Sequence, residues 1–251
     1  NKAKVEEIIQ KFTKEKVDLV FTLGTSATLP VFREMPTTPV IFSIVYDPIA
    51  AGIAKSWKSS GNNTTGTSSY VPMKKILDTI AHFPNLHKMA VLYTPGELSS
   101  EFELKNLTSA GKDKNNKIKI VPVPITTNEE LDLLLPEVIR NFDAIYITAS
   151  NLIDGHIDTI IPLTIKSKIV TVTFLEDMLN KGVLIGLGQD YYKLGVMCAQ
   201  KALKIFKGVK PSDIPIDFHK TNDVVLNVKT AKEGQFQIPD ALMKKVTKKI
   251  E

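Results

Sequence analysis

Val17-Asp18-Leu19-Val20-Phe21-Thr22-Leu23-Gly24-Thr25-Ser26-Ala27 decides how the rest of the chain is read. The apolar run is far short of the roughly 20 residues that a membrane span needs. It has the length of a strand, and its near-continuous apolar character predicts one buried on both faces. Gly24 ends it, and Thr25-Ser26-Ala27 opens a short helix. Upstream, Val5, Ile8, Ile9 and Phe12 recur at helical spacing between Lys2 and Lys14. Downstream, Pro39 to Val45 repeats the strand pattern. Asp47-Pro48 stops that strand and starts another helix. Helices alternating with buried strands predict parallel sheets covered by helices on both faces, an α/β fold.

Gly61-Asn62-Asn63-Thr64-Thr65-Gly66 reads as a turn cluster and as the first boundary between compact parts. The alternation then resumes. Helices are expected over 72–83, 99–111, 127–142, 154–166 and 191–206, with a short one after 174 and a last one from Pro239. Strands are expected over 88–94, 117–125, 144–149, 169–174, 183–187, 214–218 and 224–228. Thr127 and Glu130 have the spacing of a capping box.

The chain has 251 residues, 43% hydrophobic and 24% charged, enough for a sizeable core in one large domain or two small ones. That composition excludes a disordered tail, a collagen and a coiled coil. The single cysteine, Cys198, excludes an internal disulfide and a cysteine zinc cage. Net charge is +5, yet Arg33 and Arg140 are the only arginines. Nucleic-acid readers lean on arginine forks, so no nucleic-acid partner is expected. Lys244-Lys245 and Lys248-Lys249 read as a solvated helix face. His82, His87, His156 and His219 lack metal-ligand spacing, so no metal is expected. No Gly-x-Ser-x-Gly elbow and no phosphate-binding glycine loop occurs, so no cofactor is expected. Gly186-x-Gly188 ends a strand but lacks the third glycine. No acid–base or nucleophile pair is signalled, which favours a binder over an enzyme.

Ligands of such folds lie beyond the carboxyl ends of the strands. There the sequence places Gly24-Thr25-Ser26-Ala27, Tyr46-Asp47, Thr94-Pro95-Gly96-Glu97, Ser150-Asn151, Phe174-Leu175-Glu176 and Gly188-Gln189-Asp190. The helix start at Thr25, Ser26 and Ala27 suits an anion such as a carboxylate, or Thr25 and Ser26 simply cap their helix. Asp47 and Asn151 each read as a ligand contact or as a cap. Asp190 reads as a partner for a ligand amine and also as the cap of the helix opening at Tyr191. Tyr46, Phe174 and Tyr191 offer flat surfaces to an apolar or aromatic ligand, or belong to the core.

Taken in order, these segments resemble one family. The matching set is Val17 to Val20 with Gly24 to Ala27, Pro39 to Phe42 with Asp47-Pro48 and Ala51-Gly52, then Gly61 to Gly66. It continues with Ala144-Ile145-Tyr146, Ser150-Asn151, Asp190 to Gly195, Asn227 and Ile238-Pro239. The set is similar to the substrate-binding component of ABC importers of the tryptophan/tyrosine type, over essentially the whole chain. The resemblance implies a type I periplasmic-binding-protein fold, with two Rossmann-like lobes, three crossings near Thr67, Gly188 and Ile214, and a ligand cleft between the lobes. Residues 1–66 with 189–213 form the first lobe, and 67–188 with 214–251 the second. Implied ligand contacts are Thr25, Ser26, Asp47, Asn151 and Asp190, to which the strand-end reading adds Ala27, Tyr46 and Phe174. The expected ligand is an amino acid, aromatic in characterised members, and the expected partner is an ABC permease. The location expected is outside the cytoplasm, periplasmic or lipoprotein-anchored, with the signal segment absent from this chain. Members open with a strand–helix–strand unit ahead of the segment matched here at Asn1. Without it the first lobe would expose sheet edges open to dimerisation or swapping. Two other functions stay open: a sensor domain of the same fold, and a small-molecule enzyme with Asp47 or Asp190 as base.

Overall fold

A computed structural model describes residues 2–218 and 223–251. His219 lies outside the described residues. The chain divides into two compact units, Asn1–Tyr70 with Asp190–Lys220, and Val71–Gln189 with Thr221–Glu251. Unit 1 begins with α1 (Lys2–Glu15), β1 (Val20–Leu23), α2 (Thr25–Glu34), β2 (Val40–Val45) and β3 (Thr64–Ser68). Unit 2 follows with α3 (Met73–Ile80), β4 (Lys88–Tyr93), α4 (Leu98–Gly111), β5 (Lys119–Pro124) and α5 (Asn128–Asn141). It continues through β6 (Ala144–Ile147), α6 (Asn151–Asp154), α7 (Ile157–Lys166), β7 (Val170–Thr173), α8 (Glu176–Asn180) and β8 (Ile185–Gly188). Unit 1 resumes with α9 (Tyr191–Phe206), a 3-10 turn (Pro211–Asp213) and β9 (Asp217–Phe218). Unit 2 closes with β10 (Asp223–Asn227), α10 (Val228–Glu233), α11 (Asp240–Met243) and β11 (Lys248–Ile250).

The sheet of unit 1 runs β1-β2-β3-β9, all parallel. One face packs Val20, Val31, Met35 and Val40 against Ile9 of α1. A second cluster packs Phe42 and Val45 against Ile53 and Ile216. β1 departs from the expected burial on both faces. Val20 and Thr22 are buried, but Phe21 is 48% and Leu23 58% exposed. β1 stands at the sheet edge, and only the face toward α1 and α2 is covered.

The expected turn cluster at 61–66 contains the start of β3, an interior strand. Its polar sequence hid it. Each hydroxyl of Thr64, Thr65, Thr67 and Ser68 is buried and bonded: Thr65 Oγ1 donates to Ile214 O (2.9 Å), and Ser68 Oγ to Tyr46 O (2.6 Å). Thr64 Oγ1 donates to Asn62 Oδ1 (2.8 Å), and Thr67 Oγ1 pairs with Ser43 Oγ (3.0 Å). A buried hydroxyl with a partner costs little, so such a strand is stable without apolar side chains. Gly66 is required there, because a Cβ would lie 2.1 Å from Phe42 O on the neighbouring strand.

The sheet of unit 2 has seven strands in the order β11-β10-β8-β7-β6-β4-β5. All pairs are parallel except β8 with β10, an antiparallel contact the alternation did not foretell. β6 is buried along its whole length, as its continuous apolar run requires. Three further expectations change. The segment after Pro48 forms turns closed by Gly52 at φ 71°, with Ile53 N donating to Pro48 O, rather than a helix. The helix expected over 154–166 breaks at Gly155-His156 into α6 and α7. The lysine-rich end is not one helix: α11 has four residues, and Lys248-Lys249 lie in β11 at the sheet edge. Lysine on an edge strand disfavours pairing with another chain. No helix among the described residues is long and apolar enough to cross a membrane.

Candidate functional site

In unit 1 the carboxyl ends of β1 and β2 place the first group. Gly24 sits at φ 77°, ψ 163°, a region essentially reserved for glycine, and forms the N-cap of α2 with no side-chain cap bond. Neither Thr25 nor Ser26 caps this helix; both lie in its first turn, Thr25 buried and Ser26 exposed. Thr28 Oγ1 donates to Gly24 O (2.7 Å) and pairs with Thr22 Oγ1 (2.9 Å), which pins the loop beneath. A ten-residue helix thus starts without an anionic or hydroxyl cap of its own. Its amide groups and dipole favour a negative ligand group there.

β2 ends in a bulge. Ile44 has φ 59°, a costly conformation for a β-branched residue, and the register to β3 shifts between Phe42 and Val45. The bulge re-aims Tyr46 and Asp47. Asp47 Oδ1 accepts from Ile49 N (3.1 Å) and Ala50 N (2.9 Å), capping the turn that follows. Tyr46 is buried, its ring centroid 5.6 Å from that of Tyr70. Tyr70 in turn meets Trp57 and Phe218 edge to face. Asp190 realises its expected capping role on α9. Its carboxylate accepts from Lys193 N (2.9 Å), and Lys193 Nζ stands 3.2 Å from Oδ2.

In unit 2 Asn151 and Phe174 follow β6 and β7. Phe174 is buried. Asn151 is exposed and does not cap α6; Ser150 does, accepting from Ile153 N. Three consecutive residues here are held by groups from β4's end and α4. Glu103 Oε1 accepts from Ala149 N (2.9 Å). Ser150 Oγ pairs with Thr94 Oγ1 (2.6 Å) and donates to Glu97 Oε1 (3.4 Å). Glu97 Oε2 accepts from Asn151 N (2.8 Å) and from Asn151 Nδ2 (3.4 Å). A second relay runs from Thr94 N to Ser100 Oγ (3.0 Å), on to Thr148 Oγ1 (2.7 Å), and from there to Leu92 O (2.8 Å).

Glu103 is fully buried. Its other oxygen accepts from Tyr146 Oη (3.1 Å). Loss of hydration pushes its pKa up to about 8, the Ala149 N–H and the Tyr146 hydroxyl only partly opposing it. Burial therefore favours its protonated form well above the ordinary carboxylate range. Sequence reading missed both roles. Glu97 was visible as a strand-end residue, but nothing in the sequence pairs it with Asn151, 54 positions away. Glu103 shares the buried stripe of α4 with Ser100 and Leu107, a helical spacing that hydropathy does not register.

Unit 2 also has a groove of about 530 Å³ lined by Phe83, Phe142, Lys168 and Phe236, among others. Leu86, Asp143 and Ile169 in its wall lie one or two residues ahead of β4, β6 and β7, so it lies at the amino edge of the sheet, opposite Asn151 and Phe174. Among the described residues no group of three or more His, Cys, Asp or Glu side chains could hold a metal ion.

A family model described as ABC transporter substrate binding protein matches residues 1–250. The chain is 28% identical over 233 residues to the tyrosine-binding protein of Clostridioides difficile, covering 92% of this chain and 67% of that protein. Among solved structures it is similar to an ABC domain from Streptococcus pneumoniae in complex with L-Trp, with TM-score 0.90 and 25% identity, covering 100% of this chain and 86% of that one. A ligand-free, open substrate-binding protein with adhesive properties from Clostridium difficile gives TM-score 0.76 at 25% identity, covering 100% and 84%. These structures share the type I periplasmic-binding-protein fold. A match over all but the last residue places this chain in the ABC transporter substrate-binding protein family.

Proposed function

We propose that this protein captures an aromatic amino acid outside the cytoplasm and delivers it to an ABC permease. Its family consists of non-enzymatic, extracytoplasmic ligand binders. The ligand class is supported by relatives that bind tyrosine and L-Trp. The observation that carries the reading here is the start of α2, a ten-residue helix with a glycine N-cap and no side-chain cap. In this proposal the ligand carboxylate docks on Thr25, Ser26 and Ala27. Asp47 or Asp190 takes the ammonium, Asn151 adds a polar contact, and Tyr46 and Phe174 wall the side chain. The two units close on the ligand, driven by its stronger binding to the closed state, and reopen at the permease.

Calorimetric titration with L-tryptophan, L-tyrosine and L-alanine tests this. The two aromatic amino acids bind and alanine binds far more weakly. Asp190→Ala weakens binding by about 1.5–3 kcal/mol, the worth of a hydrogen bond to a charged group. Unchanged affinity in that variant removes Asp190 from the site, and equal binding of alanine refutes the aromatic preference. A secondary reading, self-association through the β1 edge, is favoured by the exposure of Phe21 and Leu23 there. Sedimentation showing only monomer at high concentration refutes it.

A further inference from the structure

Asn151 N, the first amide of α6, donates to the carboxylate of Glu97. The chain's own anion therefore occupies the position at this helix start that a ligand carboxylate would need. The same carboxylate settles which way the Asn151 side chain points. The donor end of the amide, Nδ2, stands 3.4 Å from Glu97 Oε2. Oδ1 is then turned away from Glu97. Backbone freedom is small, because Ala149 N is tied to Glu103 and Ser150 Oγ to Thr94 and Glu97. An acceptor oxygen beside a carboxylate suits a cationic donor and disfavours an anion.

We propose that Glu97 is a specificity-determining positioning residue: it locks the Asn151 amide with its oxygen outward, so that this edge of unit 2 selects a ligand ammonium over any group lacking one. The inference rests on the reading of Asn151 as a ligand contact.

The test uses the whole chain and two probes, L-tryptophan and its deamino analogue indolepropionate, titrated into the wild type, Glu97→Gln and Asn151→Ala. The read-out is the ratio of the two dissociation constants. A partly unfolded sample lowers the number of sites and leaves this ratio unchanged, so a merely structural defect does not imitate the effect. The wild type prefers L-tryptophan strongly. Glu97→Gln, which can donate as well as accept, frees the Asn151 amide to rotate, and the preference falls by about tenfold or more, through weaker L-tryptophan binding. Asn151→Ala loses the preference to a similar degree. If Asn151→Ala weakens L-tryptophan while Glu97→Gln keeps the wild-type ratio, the role of Glu97 is overturned and the ligand-binding reading stands. If Asn151→Ala binds both probes as the wild type does, or the wild type does not bind L-tryptophan, the underlying reading fails and this inference with it.

Discussion

Replacing Glu103 by glutamine swaps a buried acid for a neutral group of the same shape, and the consequence depends on pH in a calculable way. In the folded chain the carboxyl titrates at about 8, against an ordinary value of 4.5, because burial strips water from its charged form. Between those two values the folded state holds a proton that the unfolded state has released. Stability then falls as pH rises, by up to about 1.4 kcal/mol per pH unit, and levels off above the folded value. Below about 4.5 both states are protonated, and this contribution is fully present. Glutamine cannot titrate. Its amide oxygen still accepts from Ala149 N, and its NH2 faces Tyr146 Oη, so the network survives. Relative to the wild type, Glu103→Gln should gain stability steadily from pH 5 to pH 8, by a few kcal/mol at most. Urea unfolding followed by far-UV circular dichroism at four pH values measures it, read on the transition of unit 2 if the two units unfold separately. Other titrating groups cancel in the difference between the two proteins. Parallel stability curves would show that Glu103 is ionised at neutral pH and refute the reasoning.

Glycines separate by what surrounds them. Gly186→Ala puts a Cβ 1.9 Å from Thr173 O, a backbone atom that cannot rotate aside, and should cost about 3 kcal/mol or more or prevent folding of unit 2. Gly195→Ala, in α9 with no atom within 4 Å of the new Cβ, should instead stabilise by about 1 kcal/mol; denaturation midpoints distinguish the two. Lys201 is 4% exposed, donates to Pro215 O, and stands 2.7 Å from Asp217, which is itself half exposed and can hydrate alone. Lys201→Met keeps the stem and should cost about 1–3 kcal/mol, from the lost charged hydrogen bond to Pro215 O, which keeps only the longer 3.3 Å contact from Thr65 Oγ1, and from the broken pair with Asp217. A change below about 0.5 kcal/mol in chemical unfolding would show that the ammonium is dispensable.

Elements with a strong apolar signal were legible along the chain. β2, β4, β6 and α9 stand where periodicity and end signals place them. β3 was not, because its stability comes from hydroxyls that find partners on other segments, such as Ile214 some 149 positions away. The capping pair at Thr127 was legible only in half. Thr127 Oγ1 accepts from Glu130 N, but the Glu130 carboxylate accepts chiefly from the amide and hydroxyl of Thr126, with the cap residue's own amide a lesser donor. For the candidate site, strand ends were recognisable from glycine, proline and small polar residues. Which of those residues cap, which pack and which stay exposed was not. Asp47 and Asp190 look alike in sequence, yet one closes a turn after a bulge and the other starts a sixteen-residue helix.

The linear order of apolar runs and helical stripes was enough to establish an α/β chain with parallel pairing, because burial and periodicity are local properties. Only the folded chain decided that Thr64 to Ser68 form an interior strand, that β10 runs against β8, and that Glu97 and Glu103 hold the segment before α6. Those outcomes depend on hydrogen bonds and desolvation between residues far apart in sequence. A carboxylate's role is set by the donors and the water around it, and neither is written in its neighbours along the chain.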